Sequence, residues 1–276
     1  VPPPPPPPPP LPPQPAPVPG VAWSVHVLAD DGAVLATRGA DAVGPVASAA
    51  KLLLLVEVAR RLDAGDLPPT ALLERSAADA VADSGLWQHL RVAALPVEDL
   101  AVLVGAVSDN LATNVLLRAV GLPALDALAA RLGLRDTRLL DRVRDARGPG
   151  DPPVLALGTA RELCLLLHGL ARGTVVSPAA SAAVLRWLGT GSDLSMVASA
   201  LGLDPLAHAG ADRGLLLRHK TGTDEGVRVD AGHLAGPAGG LAYAVAARWS
   251  PGVPARDAVL AAMGAYGRAL RAAVGG

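Results

Sequence analysis

Residues 47–55 read Ala-Ser-Ala-Ala-Lys-Leu-Leu-Leu-Leu, ASAAKLLLL. One lysine heads an apolar run in a chain whose 24 basic residues include only two lysines, Lys51 and Lys220. Ser48 and Lys51 are three apart, so on a helix they share a face one turn apart. Ser48 then falls in the first turn, where free N–H groups and the helix dipole favour developing negative charge. The following Leu-Leu-Leu-Leu-Val-Glu-Val is apolar on nearly every side, which predicts a buried helix. Burial disfavours the charged form of a lysine and lowers its pKa. A neutral amine beside a hydroxyl is a general base beside a nucleophile, a role closed to arginine, which stays protonated.

Two further motifs join the first. Ser108-Asp109-Asn110 stands 60 residues on, and Lys220-Thr221-Gly222-Thr223 follows in a segment patterned as a strand. The chain has no Phe and no Ile and is rich in Ala, Gly, Pro and Arg, a bias that suggests a GC-rich genome. Both lysines, and the only two asparagines, Asn110 and Asn114, fall in or beside these motifs. Ser-x-x-Lys, Ser-Asp-Asn and Lys-Thr-Gly in this order are similar to the three motifs of class A β-lactamases and penicillin-binding proteins. The resemblance covers roughly residues 21–272.

The resemblance implies roles residue by residue. Ser48 is the expected acylated nucleophile and Lys51 its activating partner. Ser108 is expected to relay a proton to the leaving group, and Asn110 to hold the substrate's amide. Lys220 and Thr221 are expected to receive a substrate carboxylate, with Gly222 between them and Thr223. The backbone N–H groups of Ser48 and Thr223 would form an oxyanion hole, each donor contributing about 2.7–4 kcal/mol. Arg228, on the next strand, is the candidate for a second carboxylate contact, with a solvent-facing strand residue as the alternative. Asp109 and Asn114 are expected to hold structure.

One part of the family pattern is absent. Class A enzymes carry a glutamate, in a Glu-Pro-x-Leu-Asn stretch, that activates the water releasing the acyl group. Here the loop reads LLDRVRDARGPG, and aligning Asp141-Arg142 with the family's Asp-Arg pair puts Arg144 at the glutamate's place. A guanidinium cannot take a proton from water at neutral pH. Asp145, next along, is the alternative base if the loop shifts by one, and an Arg144–Asp145 pair within the loop is the expected structural use of both. Three readings stay open: a serine hydrolase or acyltransferase with weak deacylation of β-lactam, ester or peptide substrates; a working β-lactamase with another acid; and a non-catalytic β-lactam-binding sensor or scaffold. A tailoring enzyme acting on another acyl group is a variant of the first.

Strand-like segments at 21–29 and 33–38, and again at 215–223, 227–235 and 241–249, enclose a helical middle with helices expected near 48–65, 97–107, 111–121, 122–133, 159–173 and 177–189; a last helix is expected over 255–274. The predicted fold is α/β (α+β): an antiparallel sheet flanked by helices (20–46 and 190–276) plus an all-helical lobe (47–189), with the site in the cleft between them. Residues 135–155, charged and rich in Pro and Gly, read as a long functional loop. Residues 1–19, which hold 14 of the chain's 27 prolines, read as a polyproline II spacer, with tethering to a partner as the sharper alternative.

A net charge of −1 argues against nucleic acid. No apolar run is long enough for a membrane span. Six histidines (26, 89, 168, 208, 219, 233) show no ligand spacing, so neither a metal nor another cofactor is expected. His219 is expected on the sheet face opposite Lys220. Cys164 alone cannot form an intramolecular disulfide and reads as a buried thiol. No signal-peptide pattern is read at the first residues, which leaves a removed leader open. The resemblance implies a secreted, periplasmic or cell-envelope protein, with a cytoplasmic one as the alternative.

Overall fold

The computed structural model describes residues 11–276. β1 (Ala22–Ala29) and β2 (Val34–Arg38) form the first hairpin, and β3 (Gly44–Pro45) leads into a single 3₁₀ turn over Ala47–Ala50 and then α1 (Lys51–Asp63). A short ladder of β4 (Leu72–Glu74) with β5 (Ala94–Pro96) precedes α2 (Val97–Val107), α3 (Asn110–Val120) and α4 (Leu122–Arg131). β6 (Arg138–Leu139) and β7 (Ala156–Gly158) bracket the long loop, followed by α5 (Ala160–Ala171) and α6 (Pro178–Leu188). β8 (Leu216–Asp224), β9 (Val227–Gly236), β10 (Gly239–Arg248) and α7 (Arg256–Ala273) complete the described chain.

The main sheet runs β2-β1-β10-β9-β8, and its pairs are antiparallel. Strand alternation sends side chains to two cores. Val229, Ala231, Ala242 and Ala244 join the helical core, which includes α1, α2, α3 and α6. Val25, Val27, Leu217, Leu234 and Tyr243 pack instead with Val259, Met263, Tyr266 and Leu270 of α7. Apolar burial on both faces stabilises such a sheet by roughly 25 cal/mol per Å² removed from water. No single helix among the described residues is long and apolar enough to cross a membrane.

Two expectations need correction. Folding does not begin at residue 20: Leu11 and Val18 pack against the α7 core, and Tyr266 Oη donates to the Pro12 carbonyl at 3.1 Å. Apolar side chains interspersed among the prolines give this segment something to bury. The polyproline run of residues 1–10 lies outside the described residues. The helical middle is also less separate than expected. α5 lies on the sheet, where Cys164 donates to the Ala242 carbonyl at 3.3 Å, and burial pushes that thiol up to about 12.

Candidate active site

Ser48 sits in the 3₁₀ turn rather than within α1 itself, and the residue before it, Ala47, has a left-handed φ of 47°. Ser108 is left-handed too, at φ 54°, where it ends α2. Such backbone costs of order 1–3 kcal/mol and persists only where its surroundings over-determine it. Those surroundings are visible. The Gly222 backbone presses on the serine turn so closely that a Cβ there would collide with the Val46 carbonyl oxygen and the Ala49 amide nitrogen. Asp109 caps α3 by accepting from Ala112 N, and it also accepts from Leu86 N and Trp87 N, each at 2.8 Å. The Ser108 corner is thereby fixed from both sides.

Lys51 is fully buried. Its Nζ reaches Ser108 O at 2.7 Å, Asn110 Oδ1 at 2.7 Å and Ser108 Oγ at 3.2 Å. Ser48 Oγ is not among its hydrogen-bond partners. Burial, then the positive charge of Lys220, hold the Lys51 pKa well below the ordinary lysine value, against opposing pulls from Asp109 and Asp83. Lys220 is likewise buried; desolvation lowers its pKa to about 8 despite Asp193 and Asp230. Its Nζ donates to Thr221 O at 2.9 Å.

Ser48 stands between two adjoining cavities. The inner one, of about 280 Å³, is bordered by Ser48, Ser108, Lys220, Thr221 and Thr223, and also by His219 and Asp193. The other, of about 520 Å³, lies under the long loop and is bordered by Ser48, Asn110, Thr223, Arg144 and Asp145. The structure therefore brings Ser48, Ser108, Asn110, Lys220, Thr221 and Thr223 together around one serine. It does not bring Arg228 there. That side chain borders neither cavity; its Nη1 donates to Asp224 O and Val227 O at 2.8 and 2.7 Å, and its guanidinium lies 5.9 Å from the Trp249 ring centre.

The loop hangs from a small sheet, β3-β7-β6, whose first strand runs into the serine turn. Asn114 clamps it by donating to Val143 O at 3.0 Å and accepting from Val143 N at 2.8 Å. Arg144 is spent on the loop, but not on Asp145 as the sequence suggested. Its Nε meets Asp141 at 2.6 Å and its Nη2 meets Asp151 at 3.0 Å, while Arg147 meets Asp141 at 2.8 Å. Burial raises the Asp141 pKa, but hydrogen bonds from Arg144 and Arg147 outweigh it and leave the carboxyl below its ordinary range. Asp145 Oδ1 accepts from Ala82 N at 2.8 Å, and Asn110 Nδ2 reaches the Ala82 carbonyl at 3.3 Å. Ser84, Ser192 and Asp193 border the inner cavity without having been singled out in the sequence. They sit on irregular segments whose spacing carries no signal.

The beta-lactamase enzyme family matches residues 17–273. Among solved structures, the β-lactamase of Sphaerobacter thermophilus DSM 20745 is 29% identical with a TM-score of 0.81, over 93% of this chain and 92% of that one. A β-lactamase of Burkholderia vietnamiensis is 24% identical with a TM-score of 0.76, over 93% of each chain. PBP-A is 21% identical with a TM-score of 0.77, over 94% of this chain and 90% of that one, and a mutant of it has been solved as an acyl-enzyme with penicillin G. No curated protein matches the chain. The three motifs, the antiparallel sheet and the family match agree, and the chain belongs to the beta-lactamase enzyme family.

Proposed function

We propose that this protein is an active-site serine acyltransferase or hydrolase that forms an ester on Ser48 and releases it slowly. The observation that carries this reading is the buried Lys51 amine, held by Ser108 and Asn110, each of which borders a cavity that Ser48 also borders. A neutral amine has two donors, matched by the two acceptors at 2.7 Å, which leaves its lone pair to accept from a hydroxyl, with Ser108 Oγ at 3.2 Å. Substrate arriving at Ser48 brings the hydroxyl proton to that lone pair. Ser108, within 3.2 Å of Lys51 Nζ, passes a proton to the leaving atom. The N–H groups of Ser48 and Thr223 stabilise the oxyanion, and Lys220 with Thr221 orients the leaving group.

Slow release follows from Arg144. Its ion pairs with Asp141 and Asp151 make it a strut where the family has a base, and loss of general-base help costs about 10²–10⁴ in rate. The penicillin G acyl-enzyme of the PBP-A mutant supports an ester on this fold. The substrates are β-lactams, esters or peptides whose acyl carbon fits beside Ser48.

Intact mass followed over time with benzylpenicillin tests this. A long-lived adduct that Ser48→Ala loses is expected. No adduct would instead favour a non-catalytic scaffold. A second reading rests on Asp145, which borders the same cavity as Ser48. Fast turnover that Asp145→Asn abolishes would make Asp145 the deacylating base.

A further inference from the structure

A third cavity, of about 380 Å³, shares no bordering residue with either cavity at Ser48. Its size falls in the range of small-molecule sites. It opens where α3 ends and α4 begins, a corner of 80° turned by Gly121 at φ 81°. Leu117, Leu122, Pro123 and Ala78 give it an apolar border. The polar border is Arg118, Arg142, Asp79 and Asn114.

The charges on that border do not cancel. Asp79 is buried and fully engaged: it accepts from Arg118 Nε and Nη2, each at 3.1 Å, and from Ser76 N and Oγ at 2.8 and 2.7 Å. Arg118 answers its charge. Arg142 has no carboxylate partner among the described residues; its Nη1 donates to the Ala78 carbonyl, which uses one of the five donors of a guanidinium. Arg118 Nη1 has no partner among the described residues either. Two guanidiniums and one carboxylate leave a net charge of +1. α4 also starts without a side-chain cap, so its first-turn N–H groups add positive potential. An apolar pocket with one uncompensated positive charge complements an apolar body bearing one carboxylate, which a guanidinium fork binds well.

We propose that this cavity binds a small amphipathic monocarboxylate between Arg118 and Arg142, and that its occupancy steadies the long loop. Two of its bordering residues are anchors of that loop. Asn114 exchanges two hydrogen bonds with Val143 and also donates to Asp79 O at 3.1 Å. Arg142 ties the loop to Ala78. A ligand touching both anchors holds Val143 and its neighbours in place. Those neighbours, Arg144 and Asp145, border the outer cavity at Ser48. The site stands apart from the acylation reading and does not depend on it.

The probe is 2-naphthoate, with 2-naphthamide as the same body lacking the charge. Calorimetric titration should give one equivalent of bound naphthoate and at least about tenfold weaker binding of the amide, the factor one charge-assisted bond readily supplies. Arg142→Gln should weaken naphthoate about tenfold. Pro123→Glu should weaken it similarly, by offering the arginines a carboxylate of the protein's own. Pro123 is exposed in the first turn of α4, where a carboxylate suits the helix, so this variant carries the test if Arg142→Gln fails to fold. Lys220→Gln, which alters the inner cavity alone, should leave naphthoate affinity unchanged. Naphthoate should also slow tryptic cleavage after Arg144 and Arg147 severalfold in the unmodified protein, and not in Pro123→Glu. Four results overturn the proposal: no binding at millimolar naphthoate, equal binding of the amide, affinity that survives substitution of Arg142 and Pro123, or loss of binding in Lys220→Gln, which would place the anion beside Ser48. Tight binding with unchanged cleavage overturns the link to the loop.

Discussion

Ser48 is flanked by two regions that handle charge in opposite ways. On the inner side, Lys51 and Lys220 are buried with no acidic side chain as a direct hydrogen-bond partner; Lys51 meets a carbonyl, an amide oxygen and a hydroxyl, and Lys220 meets a carbonyl. Desolvation therefore lowers both pKa values and keeps their protons exchangeable. On the loop side, Arg144 and Arg147 are joined to Asp141 and Asp151, and the arginine charge is fixed. The same charge type is left without a carboxylate partner on one side and paired on the other. The difference is whether a carboxylate stands within bonding distance.

Perturbations that exchange these characters test the contrast. The largest effect is expected from Ser48→Ala, which should remove the penicillin adduct entirely by intact mass. Lys51→Arg replaces an amine that can give up its proton with a group that stays protonated, and acylation measured by stopped-flow should slow by about 10²–10⁴. An unchanged rate would show that Lys51 is a strut like Arg144. The third effect depends on pH. Lys220 loses its charge as pH rises through about 8, so kcat/KM for a carboxylate-bearing substrate should fall above that value. The fall should approach about one decade per pH unit, and Lys220→Arg should remove that limb. The stability effect has the opposite sign: the unfolded chain keeps this proton to higher pH, so from pH 8 up to the ordinary lysine value Lys220 makes unfolding progressively harder. The smallest effect is expected from Asp145→Asn, which should change the adduct's half-life by no more than about twofold if general-base help is absent on the loop side. Lengthening by tenfold or more would move catalysis onto the loop.

The contrast also bears on engineering release. Arg144→Glu would set a carboxylate beside Asp141 and Asp151, where like charges repel. Restoring the family's base requires removing at least one of those partners.

The sequence made the motifs readable because their residue types are scarce in this chain and their spacing is local. α2 was expected over 97–107 and spans Val97–Val107; α3 begins at Asn110, one residue from its expected start. Those helices have strong apolar periodicity and clear ends. Less was readable where partners are distant or irregular. Nothing local says that Arg144 selects Asp141 and Asp151 over its neighbour Asp145, because a loop's fold decides which carboxylates face it. Arg228 was placed on its strand from the sequence, yet the stack on Trp249 comes from the far end of β10. Leu11 and Val18 sit in a proline-rich composition that hides their burial against α7. His219 was expected opposite Lys220, and strand alternation gives that; that its ring still borders the cavity depends on β8 being the sheet edge.

Gly222 carries a consequence for biosynthesis. The turn holding Ser48 is wedged into shape by a strand translated much later, because Gly222 must dock on Val46 and Ala49. A nascent chain still short of that strand has its serine and its first lysine, but no partner to press them into a reactive corner. The turn around Ser48 therefore takes this shape only once β8 has docked on it, which makes its local geometry a property of the completed sheet.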